Sequence, residues 1–247
     1  MAYRYLFAAP VLALAACASG PSYPLGSTVH GPATKRALDP VGEPGSVAAA
    51  DLAYAKAVRE EGANAALGRF ADSGALLHVA GGPADAARQL AGDPQSAQVL
   101  RGPRRVWSSC DGSLAVSTGR FQRADGLVGN YTTVWELQSD GEYEWTYELR
   151  EIDDPQPPPP PPNTAPDEDT IVVQELVSIE GRVADCGSAG ARRAATSAGS
   201  TASGGGQSRD GMLAWTWSQE ADGTRRVAVG WMREGEWQVA HEYDARP

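Results

Sequence analysis

The chain has three histidines, His30, His78 and His241, and none stands in a recognisable catalytic pattern with an acidic partner. General acid–base chemistry requires such a group with a pKa tuned towards the working pH. No serine has the Gly-x-Ser-x-Gly context of a nucleophile elbow. No Cys-x-x-Cys, phosphate loop or clustered metal-ligand set occurs. The residues therefore predict no catalytic set, no metal and no cofactor. They do supply aromatic side chains at strand spacing. Tyr131, Thr133, Trp135 and Leu137 alternate on one side of one segment, and Tyr143, Trp145, Tyr147 and Leu149 on one side of the next. Glu136, Glu144 and Glu148 fall in the opposite phase and are expected in solvent.

The three cysteines divide by context. Arg4 precedes an uncharged apolar run, Leu6 to Ala16, which ends in Leu14-Ala15-Ala16-Cys17. A helix that spans a bilayer needs about 20 apolar residues, so this run fits a secretory leader, not an anchor helix. Leu-Ala-Ala-Cys resembles the lipobox of bacterial lipoproteins. That resemblance implies cleavage after residue 16, a signal peptide over 1–16, and lipid on Cys17. Ala18 follows, where an Asp would resemble an inner-membrane retention signal, so an outer-membrane, periplasm-facing position is expected. With Cys17 lipidated, an even pair is left in an oxidising compartment, which predicts a Cys110–Cys186 disulfide.

The formal charge of the 247 residues is -10. Loss of the leader removes Arg4 and no acid, so the remainder is one charge more negative. Phosphate binding demands clustered Lys and Arg, so nucleic acid is excluded as a partner. Membrane contact is expected through lipid on Cys17 only.

The elements that must carry these side chains follow from spacing. Residues 17–45 are rich in Gly, Pro, Ser and Ala and read as a flexible tether. Ser46 suits a helix N-cap, Leu52, Ala55 and Val58 recur at helical spacing, and Gly62 suits the stop. Ala63, Ala66, Leu67 and Phe70 give a second helix one apolar face. Ala75 to Val79 reads as a short strand. Gly82-Pro83 opens a third short helix, which Gly92 ends. From Arg101 the period becomes that of strands. Asp111-Gly112, Asp125-Gly126 and Asp140-Gly141 separate alternating runs and mark hairpin turns.

Pro157 to Pro162 interrupts the pattern. Six prolines form polyproline II at about 3.1 Å per residue and span roughly 19 Å, which suits a linker over 152–170. Residues 171–247 form a β-rich extension. It holds a strand-like run from Ile171 to Ile179, a Gly/Ser/Ala-rich loop from Gly187 to Arg209, and three strands between Met212 and Tyr243. Asp111-Gly112-Ser113-Leu114-Ala115 parallels Asp210-Gly211-Met212-Leu213-Ala214. Trp135 parallels Trp231, and Gly141-Glu142-Tyr143 parallels Gly235-Glu236-Trp237. A partial duplication and the ordinary reuse of Asp-Gly turns by any meander both account for this.

Asp51-Leu52-Ala53-Tyr54-Ala55, Ala65 to Phe70-Ala71-Asp72, Trp107 to Ala115 and Tyr131-Thr132-Thr133-Val134-Trp135-Glu136 resemble the SnoaL-like domains of the nuclear transport factor 2-like superfamily. The resemblance covers residues 46–151. It implies an α+β fold, three helices on a curved antiparallel sheet, forming a cone with an apolar interior and carrying the all-β extension. Related domains often dimerise through the sheet's outer face, so a homodimer is compatible with the resemblance, although no exposed apolar stripe is readable in this sequence. Family members include isomerases, dehydratases, hydrolases and non-catalytic domains, and fold alone does not choose among them. By this likeness Tyr54 faces inward, and Trp107, Tyr131, Trp135, Trp145 and Tyr147 line a pocket for a small apolar ligand. The expectation is a lipid-anchored, non-catalytic envelope protein that binds such a ligand or a protein partner. The alternative is a pocket enzyme of isomerase, dehydratase or hydrolase type.

Overall fold

A computed structural model describes residues 41–92, 98–158, 178–186 and 200–246. The leader, Cys17, His30 and most of the tether lie outside the described residues, as do Pro159 to Pro162 and the run 171–177.

Three helices and eleven strands follow one another along the chain. Helix α1 spans Pro44–Glu61, α2 spans Ala63–Phe70, β1 spans Ala71–Val79 and β2 spans Gly82–Asp85. Helix α3 spans Ala86–Gly92, and β3 to β6 span Gln98–Ser108, Leu114–Arg123, Val128–Leu137 and Tyr143–Ile152. Then come β7 (Glu180–Val183), β8 (Ser200–Gln207), β9 (Leu213–Glu220), β10 (Arg225–Arg233) and β11 (Glu236–Ala245). The architecture is mixed α+β.

Several boundaries differ from the spacing. Helix α1 starts two residues before Ser46, with Pro44 in its first turn, where a missing N–H costs nothing. Leu52 is exposed, and the buried stripe of α1 runs through Val47, Asp51, Tyr54, Ala55 and Val58 instead. Pro83 sits in β2, an edge strand paired with β1, where its lack of a donor is tolerated. The third helix therefore begins after it. Within the stretch 187–209, residues 200–207 form β8, because paired strand β9 lays Trp215 and Trp217 over Gly206 and Gly204.

The strands form two sheets, one in the order β2-β1-β6-β5-β4-β3-β7 and one in the order β11-β10-β9-β8. The β1–β6 and β3–β7 pairs are parallel and all others antiparallel. On one face of the larger sheet, Val106, Ala115, Trp135 and Trp145 pack against helix residues including Val47, Tyr54, Val58 and Leu67. On the other face, Trp107, Val116, Val134, Tyr147 and Leu149 pack against Leu213, Trp215, Val227, Val229 and Trp231 of the smaller sheet. Three layers result, helices on sheet on sheet. The Cys110–Cys186 disulfide closes the turn after β3 onto the segment after β7.

The two meanders correspond in detail. The backbone N–H of Ser109 donates to the Leu114 carbonyl, and that of Ser208 to the Leu213 carbonyl. Each serine hydroxyl donates to the aspartate two residues on, Asp111 or Asp210. Gly112 and Gly211 hold φ of 70° and 73°, which favours glycine at both turns. The β5–β6 ladder shifts register between Val134 and Trp135, and the β10–β11 ladder between Val229 and Gly230. Followed along the ladders, Gly230 and not Trp231 takes the place of Trp135, because Trp135 pairs with Ala115 and Gly230 with Ala214. The apparent tryptophan match in the sequence is thus one residue out of register.

Candidate functional site

The bulge in β6 decides where its side chains go. Trp145 pairs with Trp135 and Tyr147 with Val134, so Thr146 is the extra residue. An inserted residue reverses the alternation beyond it. Trp145 faces the helices, whereas Tyr147 and Leu149 face the second sheet. The six aromatics expected to line one pocket are divided between the two faces of the larger sheet. Tyr54, Tyr131, Trp135 and Trp145 lie on the helix side, and Trp107 and Tyr147 lie between the sheets. All six are buried core residues. Glu148 is turned inward by the same bulge, against the expectation of solvent exposure, and is 2% exposed. Glu136 is exposed and Glu144 half-buried.

Glu148 meets a polar cluster under α1. Arg101 is brought there by β3, whose ladder shifts register on both sides of it. Its Nε donates to Asp51 Oδ1 at 2.7 Å, its Nη1 to Glu148 Oε2 at 2.7 Å and its Nη2 to Thr133 Oγ1 at 2.9 Å. The Thr133 hydroxyl in turn donates a hydrogen bond to Glu148 Oε2 at 2.9 Å. The second Asp51 oxygen accepts from Ser117 at 2.6 Å and from Tyr131 at 3.1 Å. Trp135 donates to Ser117 at 2.9 Å. The guanidinium lies 3.9 Å from the Tyr131 ring centroid and 5.2 Å from that of Tyr54, within cation–π range. A Cβ on Gly119 would come within 2.7 Å of the Tyr131 hydroxyl, so a bare glycine makes room for it.

The electrostatics follow from this geometry. Burial alone would raise the Glu148 carboxyl, but Arg101 beside it, aided by Arg150 and hydrogen bonds, holds it below the ordinary carboxylate range. Burial would lower Arg101, yet Asp51 and Glu148 raise it well above its usual value. Burial, with Glu148 adding, pushes the Tyr54 hydroxyl far up. Near neutral pH Glu148 is therefore ionised beside the Arg101 guanidinium, with both phenols protonated. Sequence spacing offers one sign of it: Asp51 falls on the same helical stripe as Val47, Tyr54 and Val58. Arg101 and Glu148 carry no such sign, because bulges put them there.

The two described histidines lie between the sheets. His78 Nδ1 is 2.7 Å from the Tyr147 hydroxyl, and Nε2 is 3.0 Å from Gln219 Oε1. His241 stacks on Trp107 and reaches Thr132 Oγ1 at 3.1 Å. Burial brings each down to about 4, with Arg225 lowering His78 and Arg105 lowering His241 further, against a raising bond to His78 from Gln219. Both are neutral packing residues.

Among the described residues no group of His, Cys, Asp and Glu could hold a metal ion, and no helix is long and apolar enough to cross a membrane. No protein-family model matches the chain, and no curated protein matches it. A solved structure, a proposed ketosteroid isomerase from Shewanella frigidimarina, is similar in part. It is 16% identical with a TM-score of 0.35, over 45% of this chain and 99% of that one.

Proposed function

We propose that this chain is a lipid-anchored, non-catalytic envelope protein built on a nuclear transport factor 2-like domain, and that it acts by binding at its surface. The observation that carries this reading is the Arg101 guanidinium, which occupies both buried carboxylates near Tyr54. A pocket isomerase, dehydratase or hydrolase needs a carboxylate free to take or give a proton, with its pKa raised towards neutrality. Glu148 is held in the opposite direction. The aromatics that an apolar ligand would use are spent on packing. The second sheet covers the face through which related domains pair, so the protein is a monomer in this reading.

The membrane attachment rests on Arg4, the apolar run and Leu14-Ala15-Ala16-Cys17. Two or three acyl chains on one cysteine anchor stably, since each buried methylene contributes about 0.8 kcal/mol. Fractionation of cells that make the Cys17→Ser variant tests it. The variant is expected in the soluble periplasmic fraction, and retention in the membrane pellet would refute lipid anchoring. Native mass spectrometry of the purified wild type tests the closed interior. Release of an uncharged apolar molecule that a Tyr54→Phe variant fails to retain would overturn it.

A further inference from the structure

The ends of β1, β4 and β6, together with α3 and the start of β10, enclose a pocket of about 310 Å3. Arg123, Arg150 and Arg225 line it, against a single carboxylate, Glu151. Three guanidinium groups around one cavity are notable in a chain whose net charge is -10. Glu151 pairs with Arg225, whose Nη1 also donates to the backbone carbonyls of His78 and Arg150. Arg123 Nη2 bonds Asp125 at 2.7 Å, outside the lining. Two donors are left over. Nε of Arg123 and Nε of Arg225 are both buried and have no hydrogen-bond partner among the described residues.

A buried N–H on a charged group without an acceptor is costly, and such orphans point to a missing water, ion or ligand. Here two belong to residues of one pocket, and both call for an acceptor oxygen. Arg150 lines the same pocket and adds a third guanidinium to it. The remaining walls include Val79, Phe121 and Ile152, which are apolar. A carboxylate matches guanidinium geometry and charge, and an attached apolar group would fill the rest.

We propose that this pocket binds a small organic carboxylate, its oxygens towards Arg123 and Arg225 and its apolar part against Phe121 and Ile152. No covalent step is involved. The site lies apart from the Asp51–Arg101–Glu148 cluster and does not depend on lipid at Cys17.

Titration calorimetry on the full chain with benzoate, benzyl alcohol and inorganic phosphate tests the proposal. Benzoate is expected to bind, and benzyl alcohol, which keeps the ring and lacks the charge, to show no heat. Arg123→Gln, at a partly exposed position, is expected to keep the wild-type melting temperature without ligand and to weaken benzoate at least fivefold. If that variant melts early, Phe121→Leu serves as the second arm, with binding weakened for benzoate and unchanged for phosphate. Absence of benzoate binding, or equal binding of benzyl alcohol, would overturn the site. Phosphate binding as tight as benzoate would overturn the organic carboxylate as its ligand.

Discussion

Asp111 and Asp210 hold each other's backbone. The N–H of Asp111 donates to Asp210 Oδ2 at 2.8 Å, and the N–H of Asp210 donates to Asp111 Oδ2 at 3.1 Å. The bonds are reciprocal across the two corresponding turns, where the larger and smaller sheets meet. Burial would raise the Asp111 carboxyl, but bonds from Ser113, Ser109 and the Asp210 N–H hold it below its ordinary value. Charge-assisted bonds of this type contribute about 1.5–3 kcal/mol each. Asp111→Ala and Asp210→Ala should each lower unfolding free energy in urea by about 2 kcal/mol, and the double variant by less than the sum. Additive losses would show that the two turns are energetically independent.

The Arg101 cluster makes a prediction with a pH signature. Removing one partner of a buried ion pair costs about 3–5 kcal/mol, because the charges left behind are unpaired. Arg101→Met should destabilise by that amount at pH 7, read from the denaturant midpoint. Without Arg101, burial raises the Glu148 carboxyl, so the variant binds protons more readily than its unfolded chain. Its deficit relative to wild type should shrink as pH falls. A deficit that stays constant from pH 7 to pH 4 would contradict this account.

Acid should weaken the contact between the sheets. His78 and His241 titrate at about 4 in the folded protein, against about 6.5 unfolded. Between these values the unfolded chain binds more protons, so stability is complete above pH 6.5 and declines towards pH 4. Each histidine accounts for on the order of 3 kcal/mol over that window. Denaturant midpoints measured across it should fall, and His241→Gln should flatten the slope by about half.

The disulfide ties Cys110 to Cys186 across 76 residues. Crosslinks closing loops of such length typically contribute about 2–4 kcal/mol, largely through the unfolded chain. The double variant Cys110→Ser, Cys186→Ser should lose that much. A non-reduced digest of the wild type should yield one bridged peptide in place of two thiol peptides.

What the sequence makes legible is local chemistry. The Asp-Gly turns, the span of α2 and the pairing of Cys110 with Cys186 follow from short-range rules or from counting, and the structure has them. What it hides is set by contacts far along the chain. Glu148 reads as solvent-facing by period 2, and only the extra residue Thr146 turns it inward. Leu52 reads as core beside Ala55 and Val58, but it is exposed, and Asp51, paired with Arg101, is buried on the stripe in its place. The aromatics read as one face because alternation presumes one buried side, whereas both faces of the larger sheet are covered. The glycines of β8 read as a loop because the tryptophans that fill their missing volume come from β9.

The smaller sheet has one further consequence. A cover supplied by a second molecule comes and goes with its abundance, whereas here the covering strands and the covered strands share one backbone. Local tethering replaces encounter, and the entropic toll of bringing two bodies together is largely removed. The melting temperature should then be the same in a sparse sample and a crowded one, and the fold should survive at any number of copies per cell.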